Sequence, residues 1–168
     1  MIFGIGIDVL EAQRMHETHA RFGARIVERL LMPEERVQFE RTQRPERFLA
    51  MRFAAKEAIV KAMGTGFAHG MWLRDVGVVQ NAWGKPEICY SARGERMRQR
   101  LGIGEGHVTL SDEAGLVVAV AVLLRAPAVA VRRAASRPAS RPKPRAGAKP
   151  RAKAKPRAKA KPRAAGRR

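Results

Sequence analysis

An α+β domain, with an antiparallel sheet dominating its C-terminal half, is the fold class that residues 1–125 predict. Three observations carry it. Phe48 to Gly66, FLAMRFAAKEAIVKAMGTG, reads as one long central helix that stops at glycines. Val76–Gln80 and Glu87–Ser91 flank the turn Asn81-Ala82-Trp83-Gly84-Lys85-Pro86 as a hairpin. His107–Asp112 alternates like a half-exposed strand, and Leu116–Leu124 returns after Glu113-Ala114-Gly115 as a mostly buried one.

The charge is divided sharply along the chain. The net charge is +19, yet residues 126–168 hold 16 Lys or Arg and no Asp or Glu, which leaves residues 1–125 at only +3. Seven of the ten prolines also fall after Ala126. About 125 residues suffice for one domain with its own core. The 126–168 extension repeats KPRAKA from Lys149 and has no apolar face, so it is expected to be a disordered basic tail attracted to polyanions, nucleic acid included. Cys89 is the only cysteine, which excludes an intrachain disulfide and a thiolate metal cluster. The N-terminal run lacks a basic leader segment and is interrupted by Asp8, while the longest clean apolar run, Leu116–Leu124, is too short to span a bilayer as a helix. The expectation is a cytoplasmic protein with no membrane partner.

Taken in order, Ile2–Val9 reads as a buried first strand delivering the Asp8 carboxylate near its end. Its Gly4 and Gly6 begin a dinucleotide fingerprint that fails at Val9, where the third glycine should stand. Close backbone approach or a bulge is the remaining use for them. Gln13–Leu31 follows as one amphipathic helix with Met15, Phe22, Ile26, Leu30 and Leu31 as apolar positions. Arg14, Arg21 and Arg25, spaced by seven and four, would lie within about 40° of one another around its axis. That stripe fits a solvated face or a docking surface for an acidic partner. His16 and His19 are taken as surface residues. Pro33, Glu34 and Glu35 open a short helix, with acids in the first turn as the helix dipole favours. Pro45 sets the start of the central helix. Glu95–Leu101 is a short basic helix bounded by Gly94 and Gly102.

Glu57 and Lys61 are four apart on the central helix and therefore share a face. Spacing alone fits two readings: an intrahelical ion pair on a surface helix, or part of a metal-phosphate site beside the Gly64-Thr65-Gly66 turn.

The motifs GIGIDVLEAQR at 4–14 and RFLAMRFAAKEAIVKAMGTG at 47–66, with WGKP at 83–86 and HVTLSDE at 107–113, resemble the small bacterial holo-[acyl-carrier-protein] synthases, a type of 4'-phosphopantetheinyl transferase. The resemblance spans residues 1–125; the basic extension has no counterpart in it. It implies the 4'-phosphopantetheinyl transferase-like fold and transfer of phosphopantetheine from coenzyme A to a serine of an acidic apo-acyl-carrier protein, in support of fatty acid biosynthesis. It implies Mg2+ held by Asp8 and Glu57, with Glu57 and Lys61 as catalytic residues. The general base stays open among Glu57, Lys61 and a metal-bound water. Coenzyme A contacts are implied for Lys61, Gly64, Thr65, Gly66, Lys85, Pro86, His107 and Thr109, with Arg52 expected at the nucleotide phosphates. Arg14, Arg21 and Arg25 become the carrier-docking residues. A homotrimer with sites between subunits is also implied. The alternative reading is a nucleic-acid-binding protein acting through its tail.

Overall fold

The computed structural model describes residues 1–127, so all but the first two residues of the basic extension lie outside it. Ten elements follow one another: β1 Ile2–Glu11, α1 Ala12–Phe22, α2 Ala24–Leu30, α3 Pro33–Phe39, α4 Pro45–Met63, β2 Val76–Gln80, β3 Pro86–Tyr90, α5 Ala92–Arg100, β4 Ile103–Glu113 and β5 Leu116–Arg125. The strands form an antiparallel sheet in the order β1-β5-β4 and a separate β2-β3 hairpin. The α+β expectation is met, and the sheet closes by pairing the first strand with the last.

Helix α4 is the centre of the molecule. Leu49, Ala50, Ala54, Ala55, Ala58, Ile59 and Val60 are fully buried along it. The small residues let β1 and β5 lie directly against its backbone. A Cβ at Gly4 would overlap the Ala62 carbonyl oxygen, and one at Gly6 the Ala58 carbonyl oxygen. Close approach is therefore what those glycines provide, with a register shift between Ile2 and Gly4 besides. Gly64 ends α4 in the left-handed conformation (φ 73°).

Four expectations are corrected. β1 is not buried on both faces: Gly6 and Leu10 face α4, whereas Ile5, Ile7 and Val9 are 58%, 56% and 57% exposed on the other side. Nothing among the described residues covers that side, because α4 packs on only one face of the three-stranded sheet. The helix expected over 13–31 breaks at Gly23 (φ 51°), leaving α1 and α2, with Phe22 exposed rather than in the core. Gly94 lies inside α5 rather than at its start, since a Cβ there would overlap the Asp75 carbonyl oxygen. His19 is half-buried and engages Glu46 (Nδ1 to Oε1, 3.2 Å) instead of standing free on the surface.

Candidate active site

Side chains alternate along β1, so Asp8 points to the same side as Gly6 and Leu10, toward α4. The missing side chains at Gly4 and Gly6 bring strand and helix close enough for Asp8 to meet the next exposed turn of α4. There Lys61 donates to Asp8 Oδ1 at 2.7 Å and to the Ile7 carbonyl at 3.2 Å. The lysine therefore pairs across to the strand, and the intrahelical pair with Glu57 is not formed. Glu57, one turn before Lys61, is half-buried beside them. Its pKa is raised, chiefly by burial and secondarily by the Asp8 charge, with Lys61 opposing. Two carboxylates and an ammonium thus converge where strand and helix touch.

The donor set fits a hard cation. Asp8 and Glu57 offer oxygen only, and no cluster of three or more His, Cys, Asp or Glu exists among the described residues. Two carboxylates completed by waters and phosphate oxygens are what magnesium accepts, whereas a zinc site would need more side-chain ligands. Burial is the main cause that raises Glu57; the smaller Asp8 repulsion that adds to it is what a cation would relieve.

Glu57 also lines a groove of about 570 Å³ with Phe53, Phe67, Met71, Trp72, Leu73, Arg29 and Arg74. Sequence reasoning did not single out its far wall, residues 67–74, which has no regular secondary structure and offers no periodicity to read. The Gly64-Thr65-Gly66 turn leads from α4 into that wall. A second groove, about 330 Å³, contains Lys85, Pro86 and His107 together with Tyr90, Glu95 and Arg98. The expected contacts at 85–86 and 107 therefore share one surface, separate from the Asp8–Glu57–Lys61 cluster within this chain. Thr109 follows His107 on the outer side of β4, both exposed.

Arg52 is a correction. It is only 2% exposed, donates to Gln38 Oε1 at 3.1 Å and stacks on Phe48 at 4.2 Å, with Nε 3.9 Å from Glu35. It is enclosed in the interior rather than presented to a ligand at the surface. Its position on α4, four before Lys56 and three after Leu49, was the available signal, for that is the core stripe. Arg14, Arg21 and Arg25 are all exposed, but Arg25 belongs to α2, so the single-helix stripe does not exist as drawn.

An interior node also went unrecognised. Lys56 and Glu35 are fully buried and paired at 2.7 Å. Lys56 also donates to the Leu73 and Val76 carbonyls at 3.0 and 2.6 Å, and Glu35 accepts from the Met32 and Val78 amides at 2.8 and 2.9 Å. Cys89 beside it has its pKa pushed up to about 11, first by burial and then by Glu35, so its thiol is inert.

The family model of the 4'-phosphopantetheinyl transferase superfamily matches residues 4–121. A holo-[acyl-carrier-protein] synthase of Thiobacillus denitrificans is 43% identical over 124 residues, covering 73% of this chain and 94% of that protein. The crystal structure of the Neisseria meningitidis holo-[acyl-carrier-protein] synthase superposes with a TM-score of 0.71 at 37% identity, over 74% of this chain and all of that one. The Helicobacter pylori enzyme, solved in complex with coenzyme A, gives a TM-score of 0.63 at 28% identity over 71% of this chain and 99% of its own. With the family model matched over residues 4–121 and the fold shared with these solved structures, this chain belongs to the 4'-phosphopantetheinyl transferase superfamily, in its holo-[acyl-carrier-protein] synthase branch.

Proposed function

We propose that this chain transfers the 4'-phosphopantetheine group of coenzyme A to a serine hydroxyl of an apo-acyl-carrier protein. The serine oxygen attacks the phosphorus that bears the pantetheine arm. The bond from that phosphorus to the bridging oxygen breaks, and adenosine 3',5'-bisphosphate leaves with the electron pair. The observation that carries this reading is the convergence of Asp8, Glu57 and Lys61 where β1 packs on α4. Magnesium held by Asp8 and Glu57 would neutralise the diphosphate charge that otherwise repels the nucleophile. Lys61, fixed by Asp8, adds a positive charge beside the phosphates and favours the state in which charge shifts to the leaving group. The side chain that receives the serine proton is one of Glu57 and Lys61, which share a face of α4. Lys61 and the Gly64-Thr65-Gly66 turn lie on the carboxylate side of the coenzyme, with Lys85, Pro86, His107 and Thr109 on the other.

Those two sets do not share a groove within one chain, which supports completion of the site by a neighbouring copy. The bare sheet face carrying Ile5, Ile7 and Val9 is the surface such a homotrimer would cover. The exposed Arg14, Arg21 and Arg25 supply charge that an acidic carrier would meet, mainly accelerating encounter. Fatty acid biosynthesis is the process such a transfer serves. No helix among the described residues is long and apolar enough to cross a membrane, which is compatible with a cytoplasmic location.

Mass spectrometry of an apo-carrier incubated with coenzyme A, magnesium and this protein tests the reaction. Gain of one phosphopantetheine on the carrier serine is expected; no gain across several folded apo-carriers overturns it. The second reading, nucleic-acid contact through 126–168, rests on 16 basic and no acidic residues there. It requires DNA affinity that falls steeply with salt and is lost on truncation after Arg125.

A further inference from the structure

Lys56 and Glu57 are neighbours on α4 but point about 100° apart. Glu57 faces the groove; Lys56 faces inward, with 0% exposure. All three ammonium protons of Lys56 are used, on Glu35 Oε2, the Leu73 carbonyl and the Val76 carbonyl. One of those acceptors, Leu73, belongs to the segment between Gly64 and Val76, which has no helix or strand of its own, and the other, Val76, opens β2 where that segment ends. Met71, Trp72, Leu73 and Arg74 of that segment form the groove wall opposite Glu57. The segment carries left-handed glycines at Gly66 and Gly70 (φ 55° and 87°), so local backbone preference does not fix its course. What fixes it is Lys56 on one side and, on the other, a local turn closed by the Asp75 carboxylate, which accepts from the Trp72 amide at 2.7 Å and is tied to the rest of the fold by the Ser91 hydroxyl at 2.7 Å.

A buried ion pair is a weak source of stability, because desolvating two charges consumes most of their attraction, and apolar replacements of similar volume commonly fold as well. Its use here must be sought in position. We propose that Lys56 is a positioning residue for phosphopantetheine transfer: through its bond to the Leu73 carbonyl it holds the 71–74 wall at the distance from Glu57 at which coenzyme A is bound, while Glu35 serves as its counter-charge. This rests on the transferase reading, and it adds a side chain that touches no reacting atom.

Two variants separate position from stability. Glu35→Leu/Lys56→Met removes the pair and the carbonyl contacts together and leaves no unpaired charge. It also leaves the Met32 and Val78 amides and the Leu73 and Val76 carbonyls without these partners, so it is expected to melt below the wild type while still folding at the assay temperature. Its KM for coenzyme A is expected to rise at least about fivefold, with the KM for apo-carrier unmoved. Glu35→Gln removes the counter-charge but leaves Lys56 its two carbonyls; it should lower Tm while keeping the KM for coenzyme A within about twofold. A folded double variant with wild-type KM for coenzyme A overturns the proposal, as does Glu35→Gln raising that KM as much as the double variant does.

Hydrogen exchange on the unsubstituted protein gives a third arm that needs neither the variants' folding nor any activity. Amides of 71–76 should exchange as slowly as those of β2; exchange as fast as at the exposed turn 81–84 overturns the positioning role. An unsubstituted protein that transfers nothing fails the transferase reading instead, and fast exchange at 71–75 still shows that the wall is not held and overturns the positioning role.

Discussion

Helix α4 carries two lysine–carboxylate pairs five residues apart, with the same 2.7 Å separation and opposite surroundings. Lys61–Asp8 is open, the lysine side chain 48% and the aspartate 13% exposed; Lys56–Glu35 is wholly enclosed. An exposed pair is screened and contributes about 0–1 kcal/mol to folding. Its value lies in keeping a cation and an anion where water and substrate can still reach them. The enclosed pair has no access to substrate, and every donor and acceptor in it is already used. The same pairing is therefore open to solvent at one end of the helix and enclosed in its middle.

The largest effects should separate the pairs cleanly. Asp8→Ala and Glu57→Ala are expected to lower transfer by about a thousandfold or more, since each removes half of the proposed magnesium-binding carboxylate set, with Tm almost unchanged. Rates measured at saturating coenzyme A with thermal melts alongside check this; transfer undiminished at limiting magnesium would refute the assignment. Lys56→Ala is the inverse case. It strands the Glu35 carboxylate in the interior and should cost about 3–5 kcal/mol in urea unfolding. If Lys56→Ala unfolds like wild type, or Asp8→Ala is the one that unfolds early, the division of labour is wrong.

How much of this the sequence disclosed follows the same division. Asp8, Glu57 and Lys61 could be placed on a first strand and on one face of the central helix, but spacing left both an ion pair and a metal-phosphate site open, and only the resemblance joined the three. The bare face of β1 was not, because Ile5, Ile7 and Val9 are as apolar as a buried strand and nothing local says that α4 covers just one side. Arg52 and Lys56 were misread or missed for the opposite reason: a charged side chain suggests solvent, and only its place on the apolar stripe of α4 reveals burial. The partner that makes burial tolerable, Glu35, lies 21 residues away and cannot be seen from the helix. The break at Gly23 was hidden by amphipathic residues on both sides of it. Residues 67–74, half of the groove, have no pattern to read, since turns and tertiary hydrogen bonds shape them.

A smaller effect probes the contact that brings the open pair together. Gly6→Ala places a methyl group against the Ala58 carbonyl, a backbone atom that cannot rotate away. The strand must lift from α4, at about 3 kcal/mol, the upper end for overpacking. Asp8 moves with it, so this variant, unlike Lys56→Ala, should lose magnesium affinity in titration calorimetry before it loses its fold.

The smallest effect concerns a third carboxylate, Asp75, which closes the groove wall from the side opposite Lys56. It is 4% exposed. Burial raises its pKa, but hydrogen bonds from Arg93, Ser91 and the Trp72 amide outweigh this, and the net shift is downward. The unfolded chain therefore takes up a proton here at a higher pH than the folded one. Stability from Asp75 is complete above the unfolded-state value, about 3.9, and is lost as pH falls through the lower folded-state value. Asp75→Asn should cost about 1–2 kcal/mol near neutrality, where the charged acceptor is missed. The difference from wild type should shrink toward zero in acid, once the wild-type carboxyl is itself protonated. Parallel urea curves from pH 7 down to pH 3 measure this. A gap that stays constant with pH would mean that the hydrogen-bond geometry, not the charge, holds the wall, and Lys56 would then be the only charged group that does.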